Sequence, residues 1–148
     1  MAVGNALGAV CIFDGENPRS FTGEAGETIS GSQFVFVSGA VDYIAVGSQA
    51  SSFKTTDLKI KVCTTMGYCN GLALNNAASG ELVTIATRGN YLIKSAGAIS
   101  GGALVTNNGR GDAVSPAGIT DVGSWAGIVG RAITNAGSEE YCLVSLNL

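Results

Sequence analysis

Apolar and polar residues alternate with a period of two along much of this chain, and that alternation predicts strands rather than helices. It is clearest between Gly80 and Asn108. Over Glu81–Thr87, Val83, Ile85 and Thr87 face one way and Leu82, Thr84 and Ala86 the other. Arg88-Gly89-Asn90 predicts a tight hairpin turn, because glycine beside asparagine accommodates the positive φ such a turn demands. Tyr91–Lys94 is the returning strand. A small-residue corner, Ser95 to Gly102, leads to a further strand at Ala103–Thr106, and Asn107-Asn108-Gly109 turns the chain again.

The same reading extends outward. Gln33–Val46 predicts a hairpin: Phe34-Val35-Phe36-Val37, a Ser38-Gly39 turn, then Val41 to Val46. Both faces of its first strand are apolar, as for a strand buried on both sides. In Lys54–Cys63, Leu58, Ile60 and Val62 share one face, while Asp57, Lys59 and Lys61 share the other. That pattern is a half-buried strand with a wet basic face, which either stays solvated or meets an acidic partner. Leu72–Ala78 is the best helix candidate, but it is short and asparagine-rich, so one helical turn is the most expected of it. Val122–Thr134 and Tyr141–Leu146 are predicted as the last two strands, paired side by side. The stretch 1–32 is least regular, with Asn17-Pro18 as a turn and a short strand near Ala9–Phe13. It is an extended N-terminal arm lying on a neighbouring subunit or a peripheral strand of the chain's own sheet. The expected fold is therefore all-β, a small β-barrel or sandwich-like domain over residues 33–148 with the arm at 1–32.

Composition narrows what such a fold is for. At 148 residues a single core is large enough to hide roughly 70% of the unfolded surface. Only 13% of residues are charged and 22 are glycine. The surface is then largely neutral, and it is either covered by further copies or a larger assembly, or rich in exposed Ser and Thr. The net charge of −3 and the lack of a basic stripe argue against nucleic acid. No apolar run approaches the 18 or so residues that span a bilayer, and Met1–Gly4 carries no positive n-region, so synthesis in the cytoplasm is expected.

Candidate chemistry is sparse. The chain has no histidine, which removes the commonest general base and any mixed Cys/His zinc site. Glu139 and Glu140 are adjacent and would face opposite sides of a strand. No P-loop pattern is present. No catalytic, cofactor or metal site is therefore expected, nor any cofactor. Four cysteines, Cys11, Cys63, Cys69 and Cys142, permit three pairings. Cys63 and Cys69 are the candidate disulfide, with free buried thiols as the alternative. Trp125, the only tryptophan, is a core residue or a subunit-interface anchor. Arg110-Gly111-Asp112 is a tripeptide that recurs by chance.

The stretches GELVTIATRGNYLIKSAGAISGGALVTNN, VGSWAGIVGRAI and GSEEYCLVSLNL carry a resemblance. Over about Leu72 to Leu148 the chain resembles the small phage capsid decoration proteins, also called head-stabilising or cement proteins, in spacing and residue class. The resemblance implies a non-enzymatic β-rich homotrimer on the exterior of an icosahedral head, bound to the major capsid protein and clamping neighbouring capsomers. It implies no nucleic-acid or membrane partner. Other readings are a tail or main shell subunit, and a surface glycan-binding module.

Overall fold

The computed structural model describes residues 11–13, 19–38, 58–64, 69–107, 113–114 and 127–148. Among them the chain is all-β, with ten strands in one sheet and no helix. The strands are β1 (Cys11–Phe13), β2 (Arg19–Ala25), β3 (Phe34–Val37), β4 (Lys59–Val62), β5 (Gly71–Ala73), β6 (Leu82–Lys94), β7 (Leu104–Asn107), β8 (Ala113–Val114), β9 (Ile128–Ala132) and β10 (Tyr141–Asn147).

The long strand β6 organises the sheet. Its first part pairs with β2 and β5, and its second part with β1 and β10. The hairpin turn expected at Arg88-Gly89-Asn90 does not form. Gly89 does take a positive φ, 128°, but Asn90 does not. A tight turn of the Asn-Gly kind needs positive φ at both central residues. One such residue only distorts the strand locally, and β10 stays in register across it, from Tyr141↔Lys94 to Asn147↔Arg88.

The helical turn considered for Leu72–Ala78 is likewise replaced. Gly71–Ala73 is strand β5, and Ala77 forms an isolated bridge with Ile29. The asparagines divert the backbone: Asn75 Oδ1 accepts from Thr84 N at 2.8 Å, and Asn76 Oδ1 from Gly31 N at 2.7 Å. Short amides that bind distant backbone in this way compete with helix. In the stretch 1–32, Cys11–Phe13 is the short strand, Arg19–Ala25 is a strand within the sheet, and Ile29 adds an isolated bridge to Ala77. Ala25 and Ile29 are buried there. The interruption of the apolar alternation by Gly23 and Glu24 hides this strand in the sequence. The expected Val41–Val46 strand lies outside the described residues.

The fold is a repeat of one unit. β2, β4, β3, β5 and the first part of β6 close on themselves, with β2–β4 parallel and β2–β6 antiparallel. The second part of β6, with β10, β9, β7 and β8, repeats the strand order, but among the described residues β8 does not pair back to β6 and β1 pairs there instead. The registers coincide pair by pair. Phe21↔Ile85 is matched by Tyr91↔Val144, Ala73↔Ile85 by Ala132↔Val144, and Phe34↔Leu72 by Leu104↔Arg131. The corners coincide as well. Ile29 and Ala77 exchange backbone hydrogen bonds of 2.8 and 3.0 Å; Ile99 and Ala136 exchange two of 2.9 Å. Asn135 Oδ1 accepts from Gly101 N at 2.7 Å, as Asn76 does from Gly31. Glu81 Oε2 accepts from Ala78 N at 2.8 Å, and Glu140 Oε2 from Gly137 N at 2.7 Å. Even the left-handed residues correspond: Ser32 (φ 71°) with Gly102 (84°), and Gly80 (90°) with Glu139 (65°).

Two apolar clusters fill the halves. Ala25, Ile29, Val35, Ile60, Val83 and Ile85 form the interior of the first. The second contains their counterparts Ile99, Val105, Cys142 and Val144, and adds Phe34, Cys63, Leu72 and Ala86 from the first half. The outward face of the first half is thus buried against the second. Each fully buried side chain of this size contributes about 1.5–3 kcal/mol relative to exposure.

Candidate interaction surface

Among the described residues the outward face of the second half has no such cover. Leu104 from β7, Ile128, Gly130 and Arg131 from β9, and Ser145 and Asn147 from β10 line an open groove of about 310 Å³. Arg131 lies across it, its Nη1 donating to Gly102 O at 2.5 Å. Ile133, just beyond, is 44% exposed, one of three large exposed hydrophobic residues among those described, with Leu82 and Leu148.

The repeat assigns each groove residue a counterpart. Leu104 corresponds to Phe34, Ile128 to Cys69, Gly130 to Gly71, Arg131 to Leu72, Ser145 to Ala86 and Asn147 to Arg88, by the shared strand registers. Phe34, Leu72 and Ala86 are each 0% exposed, and Cys69 packs against the same cluster. Ile133 corresponds to Leu74, which also packs there. Where the first half has Leu72 and Ala86, the second has Arg131 and Ser145. Sequence reasoning did not find this surface. Its signal is the repeat itself, which links an exposed residue to a buried one.

Cys63 and Cys69 are both free thiols, as is Cys142. Cys63 ends β4 and is buried, its N donating to Phe34 O at 2.9 Å. The Cys63 thiol hydrogen-bonds to Cys69; that bond, followed by burial, raises its pKa. The same bond lowers the pKa of Cys69 against the opposing effect of burial. The two thiols are thus within bonding reach of each other. Incubation with oxidised glutathione should yield an intramolecular Cys63–Cys69 bond, read by peptide mapping, with about 2 kcal/mol added stability for so short a loop. Persistence of both thiols after prolonged oxidation would contradict this.

Trp125 and the Arg110-Gly111-Asp112 tripeptide lie outside the described residues. On the predicted basic face, Lys59 pairs with Glu24 and Lys61 is exposed, while Ile60 is buried on the other side. Glu139 pairs with Lys94, and Glu140 holds its own turn at Gly137 N. Among the described residues no three His, Cys, Asp or Glu side chains come together.

Comparison with solved structures is informative about the fold. The head fiber gp8.5 N base of bacteriophage phi29 is similar to this chain with a TM-score of 0.61. The chain has the fold of a phage head-fibre base. The similarity covers 88% of this chain and 94% of the other, at 15% sequence identity. No protein-family model matches the chain, and no curated protein matches it.

Proposed function

We propose that this chain is a structural protein of a phage virion, seated on the outside of the head as a decoration or cement protein. The observation that carries the reading is the fold shared, over nearly the full length of both chains, with the base of a head fibre. The resemblance of Leu72 to Leu148 to decoration proteins points the same way from the sequence. So does a neutral surface: with 13% charged residues, the chain offers a partner β-faces, backbone edges and uncharged side chains.

In this reading the partner is the major capsid protein, and the assembled form is a homotrimer. Each copy buries a modest area on two capsomers, and the multiplicity of contacts turns weak individual contacts into a firm clamp. The protein works by geometry and performs no catalysis. A base onto which a fibre is mounted is the second reading, favoured by the named role of the structural neighbour.

Heads assembled with and without the protein distinguish these. Heating or osmotic shock should release DNA from bare heads first if the protein is a cement. Equal survival would reject the stabilising role, and projections seen on the heads only when a second gene product is present would favour the fibre base.

A further inference from the structure

We infer that three arginines gathered on one face of the sheet, Arg19, Arg88 and Arg131, form a docking strip for an acidic segment of a partner protein. The strand registers bring them together. Arg19 on β2 stands directly opposite Arg88 on β6, and Arg88 opposite Asn147 on β10. In the next row Asn90, Ser145 and Arg131 lie side by side on β6, β10 and β9. Directly opposed residues project from the same face, and residues two apart on a strand share it. With strands about 4.8 Å apart and these rows about 7 Å apart, the three arginines span a strip roughly 15 Å long. Arg19, Arg131 and Asn147 are exposed, while Arg88 and Ser145 are half-buried.

Charge supplies the occupant. Among the described residues there are five carboxylate side chains, and each is engaged elsewhere. Glu24 pairs with Lys59 and Glu139 with Lys94; Glu27, Glu81 and Glu140 accept from the backbone N–H groups of Val62, Ala78 and Gly137. A chain of net charge −3 thus sets three of its eight Lys and Arg residues on one strip. Like charges directly opposite across a ladder destabilise it, so Arg19 opposite Arg88 carries a cost that a bound carboxylate would relieve. The fold itself does not require the charge, since Leu72 holds the position equivalent to Arg131 in the first half. Arginine presents a planar fork of donors that takes both oxygens of a carboxylate at once. Arg131 spends Nη1 on Gly102 O at 2.5 Å, which fixes the group and leaves its other donors for a ligand. The hydroxyl of Ser145 and the amide of Asn147, between the arginines, add neutral hydrogen-bonding groups. A protein segment fits better than a nucleic acid. A long polyanion is repelled by the negative charge of the chain as a whole, whereas a short acidic segment meets the strip alone.

The inference does not depend on where the protein sits on a virion. Its test is the fluorescence anisotropy of a labelled octaglutamate peptide titrated with the purified full chain at low salt, with circular dichroism to confirm that each variant is folded. Wild type should bind saturably, and more weakly as salt is added. Arg19→Gln and Arg131→Gln should each weaken binding about threefold or more, and the double variant further. Lys61→Gln removes the same charge from an exposed lysine on β4, away from the strip, and should leave binding nearly unchanged. Arg131→Lys serves as a second variant if Arg131→Gln folds poorly; it should still weaken binding, because lysine lacks the fork. Failure of wild type to bind saturably, or a loss in Lys61→Gln equal to that in Arg131→Gln, would overturn the inference. So would a labelled oligothymidylate of eight nucleotides that binds more tightly than the peptide and loses affinity in the same variants, since the strip would then be a phosphate site.

Discussion

Gly130→Ala should destabilise the protein by roughly 3 kcal/mol or more, at the upper end of what overpacking a tight site costs. A Cβ at Gly130 would collide with the carbonyl oxygen of Ser145 on β10, with the carbonyl carbon at 2.9 Å and Leu146 Cα at 3.2 Å. These are backbone atoms in the centre of a sheet and have no flexible end to swing aside. Gly71, its counterpart, meets the same obstacle: a Cβ there would strike Ile85 Cγ2 and lie 2.5 Å from Ala86 O. Gly71→Ala should therefore cost a similar amount. Gly97→Ala is the control, since nothing lies within 4 Å of a Cβ there, and its effect should stay within about 0.5 kcal/mol. Urea titration measures all three, through midpoints compared at constant slope. A Gly130→Ala midpoint close to that of Gly97→Ala would contradict the close approach of β9 and β10.

The second large effect separates two residues that the repeat makes equivalent. Phe34→Ala should cost about 3–5 kcal/mol, because Phe34 is wholly buried between the halves and its removal leaves a cavity. Leu104→Ala, at the matching position, should cost under about 1 kcal/mol in the isolated monomer, where its side chain is half-buried at the groove. Equal losses of chain stability at the two positions would mean that the groove is as closed as the internal contact.

Much of the strand content was legible because period-two alternation survives wherever one face of a strand is buried. Val83 and Ile85 read correctly, as did Phe34–Val37 and the terminal β10. The misreadings occurred where a local signal is overruled by partners far along the chain. Arg88-Gly89-Asn90 has the residues of a turn, but β10 holds β6 straight across it. Asn75 and Asn76 are engaged by Thr84 and Gly31, a use no local window reveals. The repeat was present in the sequence as Ile29-Ser30-Gly31 with Ile99-Ser100-Gly101, and as Asn76-Ala77 with Asn135-Ala136. It escaped because each unit is split into two pieces and the spacing between copies differs for the pieces. The groove could not be read at all, since exposure of Leu104 and Ile133 depends on what packs above them.

The central place of β6 also shapes how the chain acquires its structure. Its partners extend from Cys11 to Asn147, more than 130 residues apart in sequence. β10 lies between β6 and β9 and brings Cys142, Val144 and Leu146 into the core. During synthesis the second half therefore lacks a middle strand until Tyr141–Asn147 emerges, and a nascent chain stalled before Tyr141 presents a bare ladder edge to its neighbours on the polysome. Non-local pairing of this kind places folding in the slow range of milliseconds to seconds.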